Sequence, residues 1–137
     1  MGTPVHAASF LRQRRIVLDT ALKGPELTRI LLHELFHFAW IRLSNATRAS
    51  YAALIEFELS RHARGELGWS AEWRKQALHT NPGARFFREY LCESFCDTAA
   101  WRYGGTPRHD EATLAALWHR RRVRWFDRTF PQREIPI

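Results

Sequence analysis

The chain has 137 residues, 45% of them hydrophobic, with six Trp and nine Phe; that is enough apolar side chain for one folded domain, 1–137, and excludes a disordered tail. A formal net charge of +7 and a pI near 10.4 admit nucleic acid as a partner without requiring one, because surface arginine also serves solubility. The amino terminus lacks the order of a secretion signal, and the longest apolar run is broken by His33, Glu34 and His37 before it could span a bilayer; a cytoplasmic protein with no membrane partner is expected.

In chain order, Val5 to Leu11 and Arg15 to Thr20 read as two extended runs around polar Arg12-Gln13-Arg14, with Ile16, Val17 and Leu18 strongly β-prone, and predict a hairpin. Pro25 and Glu26 suit a first helical turn, so a helix is predicted from Pro25 to Leu43, where Ser44-Asn45 breaks it. A second helix is predicted from Ala46 to Arg64, before Gly65 and Gly68, and a short third from Ser70 to His79, stopped by Asn81-Pro82-Gly83. A fourth runs from Ala84 to Tyr103 and closes on Gly104-Gly105.

The last helix is predicted to begin after Thr106 as N-cap, with Pro107, Asp110 and Glu111 early and Arg120, Arg121, Arg122 and Arg124 late. That order complements the helix dipole, so part of the arginine run is structural. The tail, 131–137, is extended because of its prolines. The fold class expected is therefore α+β, mostly helical: an N-terminal hairpin followed by a bundle of four to five helices.

The chemistry sits in the first helix, in His33-Glu-Leu-Phe-His37. Histidines four residues apart are separated by only about 40° around a helix, so both face the same way and can hold one metal ion; nitrogen donors in this arrangement suit zinc. Glu34, beside the first ligand, can take the proton from a water that the ion activates. The flanking Ile30, Leu31, Leu32, Leu35, Phe36, Phe38, Ala39 and Trp40 make the helix central, and burying this ionisable trio without a partner would cost several kcal/mol, roughly. The bland reading, inert core histidines, leaves that cost unmet.

A third ligand is required. Glu56, Glu58, His62, His79, Glu89 and Glu93 are candidates downstream. Glu93 is preferred because Asp97 follows one turn later on the same face, within the apolar run CESFCDTAAW, where it can accept the outer N–H of a ligand histidine; the pair could otherwise be a solvated strip beside Glu89 and Tyr90. Cys92 and Cys96, also one turn apart, are expected as reduced thiols, since a disulfide at that spacing would strain the helix, and a zinc pair there would still need partners.

HELFH followed by Glu93-Ser-Phe-Cys-Asp97 resembles the gluzincin metallopeptidases, of which thermolysin is the familiar member, and the layout of a hairpin leading into the HExxH helix resembles their minimal single-domain forms and the repressor-cleaving metallopeptidases of mobile elements. The resemblance implies a zincin-like core. It implies zinc held by His33, His37 and Glu93, Glu34 as general base, Asp97 orienting His33, and an endopeptidase acting on peptide or protein substrates. It also implies a substrate paired along the strand Arg15–Asp19, an oxyanion donor among Tyr90, Tyr103, His79 and His109, and a latent form in which the segment from Phe130 to Ile137 blocks the cleft.

Two alternatives follow from the same residues. A Spartan-like protease acting on DNA-bound proteins would use His62 as third ligand, with WHRRRVRW and its Trp118 and Trp125 facing nucleic acid; the glycine that this family places after the third histidine is Ala63 here. A zinc-stabilised regulatory or binding domain would keep the site as structure and have no need of Glu34.

Overall fold

The structure, a computed structural model, describes residues 7–105, 112–132 and 134–137. Val5, His109 and the predicted start of the last helix at Thr106 to Glu111 lie outside these. Strand β1 (Ala7–Phe10) pairs antiparallel with β2 (Arg15–Leu18) in the register Ala7 to Leu18 and Phe10 to Arg15. Five helices follow: α1 (Gly24–Arg42), α2 (Asn45–Ser60), α3 (Trp69–Thr80), α4 (Ala84–Gly104) and α5 (Ala116–Thr129). The protein is thus α+β and mostly helical.

The break after α1 has a clear cause. Ser44 Oγ accepts the Thr47 N–H and opens α2, while the Arg48 guanidinium reaches back to the main-chain oxygens of Trp40 and Ile41 in the last turn of α1.

α2 stops at Ser60, four residues before the predicted end at Arg64. His62 adopts a left-handed conformation (φ 55°), its N–H bonds the Leu59 oxygen, and the Ala63 N–H bonds the Glu58 oxygen. This is the hydrogen-bond pattern of a helix-closing Schellman turn, with histidine where glycine is usual. The glycines farther on do other work. Gly65 (φ 84°) passes so close to the main chain of Thr113 that a Cβ would lie 2.3 Å from its oxygen.

α5 begins at Ala116, and Ala112 to Ala115 are not helical. The amides of Thr113 and Leu114, which a helix would turn inward, donate to the Glu66 main-chain oxygen at 2.7 and 3.0 Å, and Thr113 Oγ1 accepts the Glu66 N–H. Long-range pairing with the loop after α2 overrides the local helix signal.

α1 packs along α4, and their contact, with α2 and α5, encloses a core of Phe36, Ala39, Tyr51, Ile55, Phe95 and Phe126. Trp125 is buried there with its indole N–H on Ser50 Oγ, so it is unavailable for stacking on bases. Phe130 is buried in the same core and Ile135 packs against it, which anchors the tail.

Arg122, alone in the arginine run, is fully buried. Its guanidinium grips Glu58 at the end of α2 (2.7 Å) and Glu66 in the following loop (2.7 Å); Glu66 also accepts from Tyr90 Oη at 2.6 Å and pairs with Lys75 at 3.4 Å. Every carboxylate in this interior cluster faces a donor, which is the condition for burying charge. Tyr90 is therefore committed here and does not serve as an oxyanion donor.

Candidate metal centre

α1 and α4 bring His33, His37 and Glu93 together across their interface. His33 Nε2 lies 3.0 Å from Glu93 Oε2 and 3.3 Å from His37 Nε2, and His37 Nε2 is 3.6 Å from Glu93 Oε2. On the far side of the first ring, His33 Nδ1 is 2.7 Å from Asp97 Oδ1. A neutral imidazole that donates from Nδ1 presents a lone pair at Nε2. Three acceptor atoms then face one another, and Glu93 Oε2 is buried with no hydrogen-bond donor.

Such a cluster of lone pairs needs a cation. Bonds of about 2.0–2.2 Å to a tetrahedral zinc set neighbouring donor atoms about 3.3 Å apart, and the three separations here lie around that value. The donor set, two imidazoles and a carboxylate, fits zinc.

In the absence of an ion, protons fill the same need. Burial alone would lower the pKa of His33, but Asp97 and Glu93 outweigh it and hold it well above its ordinary value. For His37 burial is likewise overcome, by Cys92 and Glu93, and the value rises to about 10. Burial would raise Glu93, yet the two histidines pull it far below the usual carboxylate range. The pocket favours positive charge in any form.

Asp97 has a second partner. Its Oδ2 accepts the Ala71 N–H at 3.0 Å, in the first turn of α3, so a side chain from α4 caps a helix other than its own. Cys92 stands to His37 as Asp97 stands to His33: its Sγ is 3.4 Å from His37 Nδ1. Hydrogen bonding with Cys96 and His37 draws the Cys92 thiol down to about 6 against burial, which opposes it.

Glu34 follows His33 on α1. Ser9 on β1 lies against its carboxylate and, at 3.0 Å, against its main-chain oxygen, so one hydroxyl proton can serve either. The strand that reaches Glu34 is therefore β1.

Compared with known proteins, the chain matches no family model, no curated protein and no solved structure.

His62 is exposed in the turn after α2 and lines a separate cavity of about 610 Å³ with Leu59, Arg64, Lys75, Leu78 and His79. Among the described residues the convergent ligand groups are His33-His37-Glu93 and His37-Cys92-Cys96, and His62 belongs to neither. Tyr103 stacks on Phe36 with ring centroids 5.6 Å apart. Ser9, Cys92 and Ala71 are the site residues that sequence reasoning did not single out in these roles; only Cys92, one turn before Cys96 and adjacent to Glu93, carried any signal.

Proposed function

We propose that this chain is a zinc-dependent metallopeptidase of gluzincin type, an endopeptidase with a peptide or protein as substrate. One observation carries the reading: three acceptor atoms of His33, His37 and Glu93 stand 3.0 to 3.6 Å apart with no donor for Glu93 Oε2, next to a carboxylate that is not one of them.

When bound there, zinc would supply a Lewis acid that polarises the scissile carbonyl and acidifies water. The chain's own residues do the rest. Asp97 fixes the His33 tautomer so that Nε2 faces the cluster. Glu34 takes the proton from the attacking water and returns it to the leaving amine, and a hydrogen bond from Ser9 restricts the rotation of its carboxylate. The edge of β1 that does not pair with β2 is where an extended peptide would add as a further strand, held by main-chain hydrogen bonds.

A cytoplasmic setting belongs to the same proposal. It is supported by the two free cysteines. The nucleic-acid variant of the reading loses most of its footing, because Arg122 and Trp125 face inward and His62 closes a helix.

The deciding experiment measures bound zinc and cleavage of a peptide library for wild type, Glu34→Gln and Glu93→Ala. The proposal expects one zinc in wild type and Glu34→Gln, loss of zinc in Glu93→Ala, and cleavage by wild type alone. Zinc retained with wild-type behaviour in Glu34→Gln in every assay would instead favour a structural zinc domain.

A further inference from the structure

A pair of thiols one helical turn apart needs another ligand to hold a metal ion, and the fold supplies one. Cys92 Sγ is 3.4 Å from His37 Nδ1, and with Cys96 Sγ the three atoms all lie within 4.8 Å of one another. Both cysteines are free, Cys96 buried and Cys92 half-buried, on the face of α4 that packs against α1. The group meets the opposite nitrogen of the His37 ring from the one that faces Glu93.

The donor sets differ in kind. Two imidazoles and a carboxylate suit zinc, whereas two thiolates with one imidazole, a set zinc also accepts, are soft enough to hold a thiophilic ion such as Cu(I). We propose that Cys92, Cys96 and His37 Nδ1 form a second metal site, for a soft thiophilic ion of the Cu(I) class, which competes with the zinc site for His37.

The site itself follows from the geometry; the competition rests on the zinc reading above. A neutral imidazole has one lone pair. A ring that gives its Nδ1 lone pair to the soft ion carries its proton on Nε2 and has nothing to offer the group made with His33 and Glu93. Loading leaves both cysteines as thiolates and the ring with a single proton, on Nε2; the protons displaced from the thiols and from Nδ1 go to solvent, with no change of oxidation state. Occupancy of the thiol site would thus switch the peptidase off by withdrawing a ligand. The plainer role for Cys92, a hydrogen-bond partner that fixes the His37 ring, predicts no copper uptake.

The test offers Cu(I), as its bicinchoninate complex under anaerobic conditions, to the full chain and reads transfer from the loss of the complex's colour. Wild type is expected to take up one equivalent, and His33→Ala the same. Cys92→Ser, at the half-buried position and checked for folding by circular dichroism, is expected to bind at least about 100-fold more weakly, beyond the loss typical of removing an outer hydrogen-bond partner. Zinc-loaded protein is expected to release its zinc as copper enters, read with a chromogenic zinc chelator. Equal uptake by wild type and Cys92→Ser overturns the site, and copper bound through Cys92 with zinc still in place overturns the competition. Absence of zinc binding would strike the peptidase reading and leave the copper result standing.

Discussion

Gly68 abuts Asp97 so closely that a Cβ at residue 68 would fall 2.3 to 2.6 Å from the carboxylate atoms. The carboxylate cannot retreat freely, because one oxygen holds His33 and the other caps α3. Gly68→Ala is therefore expected to weaken zinc binding about tenfold, the scale of a disturbed outer hydrogen bond. Competition with a chelator of known affinity measures this, and wild-type affinity in a normally folded variant would count against Asp97 as the residue that orients His33.

Ser9 lies against Glu34, the proposed general base, rather than against His33, His37 or Glu93. Ser9→Ala should leave zinc content unchanged and lower kcat about tenfold with little effect on KM, because a base free to rotate spends less time aimed at the reacting proton. Steady-state kinetics with a cleaved peptide separates the two parameters; a fall in zinc content would show that Ser9 acts on the metal ligands instead.

His62 occupies a left-handed position that glycine adopts without strain. His62→Gly is expected to raise stability by about 1 kcal/mol with no change in bound zinc. Denaturant unfolding and metal analysis on the same sample check both halves. Loss of zinc would return His62 to consideration as third ligand.

The interior cluster has a pH signature. Burial would raise the Glu66 pKa, but Arg122, then Lys75 and Tyr90, bring it below its ordinary 4.5. A carboxylate whose folded value is depressed adds stability above its unfolded pKa and loses that contribution as pH falls through the lower folded value. The stability gap between wild type and Glu66→Gln should thus be full near neutral pH, shrink as pH drops below about 4.5, and be measured by thermal unfolding across that range. Arg122→Met, which strands the buried Glu58 carboxylate and leaves Glu66 with Lys75 and Tyr90 alone, should cost about 3–5 kcal/mol at neutral pH.

The parts of the site that were legible in the sequence are those written within one helix. HELFH and Glu93 with Asp97 each repeat at helical spacing, so each announces its own face, and the hairpin and the first four helices follow from ordinary start and stop residues. Ser9 against Glu34 and Gly68 against Asp97 join segments far apart in the chain through a single small residue, and no periodicity marks such a meeting. Arg122 looks like Arg120, Arg121 and Arg124 until packing turns it inward. The ends of α2 and the start of α5 were misplaced for one reason: the amides that decide them bond to Glu58, Leu59 and Glu66, partners that local propensity does not weigh.

The grip of Arg122 on Glu58 and Glu66 also sets an order of events during synthesis. Both acids emerge from the ribosome well before the arginine, and until α5 arrives they are like charges facing each other in a would-be interior. The loop from Gly65 to Gly68, which leads into the α3 turn that Asp97 caps, is held until then by Lys75 on the Gly65 oxygen and Tyr90 on Glu66, and lacks the Arg122 clamp that ties it to α2. A nascent chain ending at residue 105 already contains every proposed zinc ligand, yet it should bind zinc more weakly than the finished protein, as equilibrium dialysis of that fragment can show. A zinc site whose ligands are complete at residue 105 would then tighten only when the last helix docks.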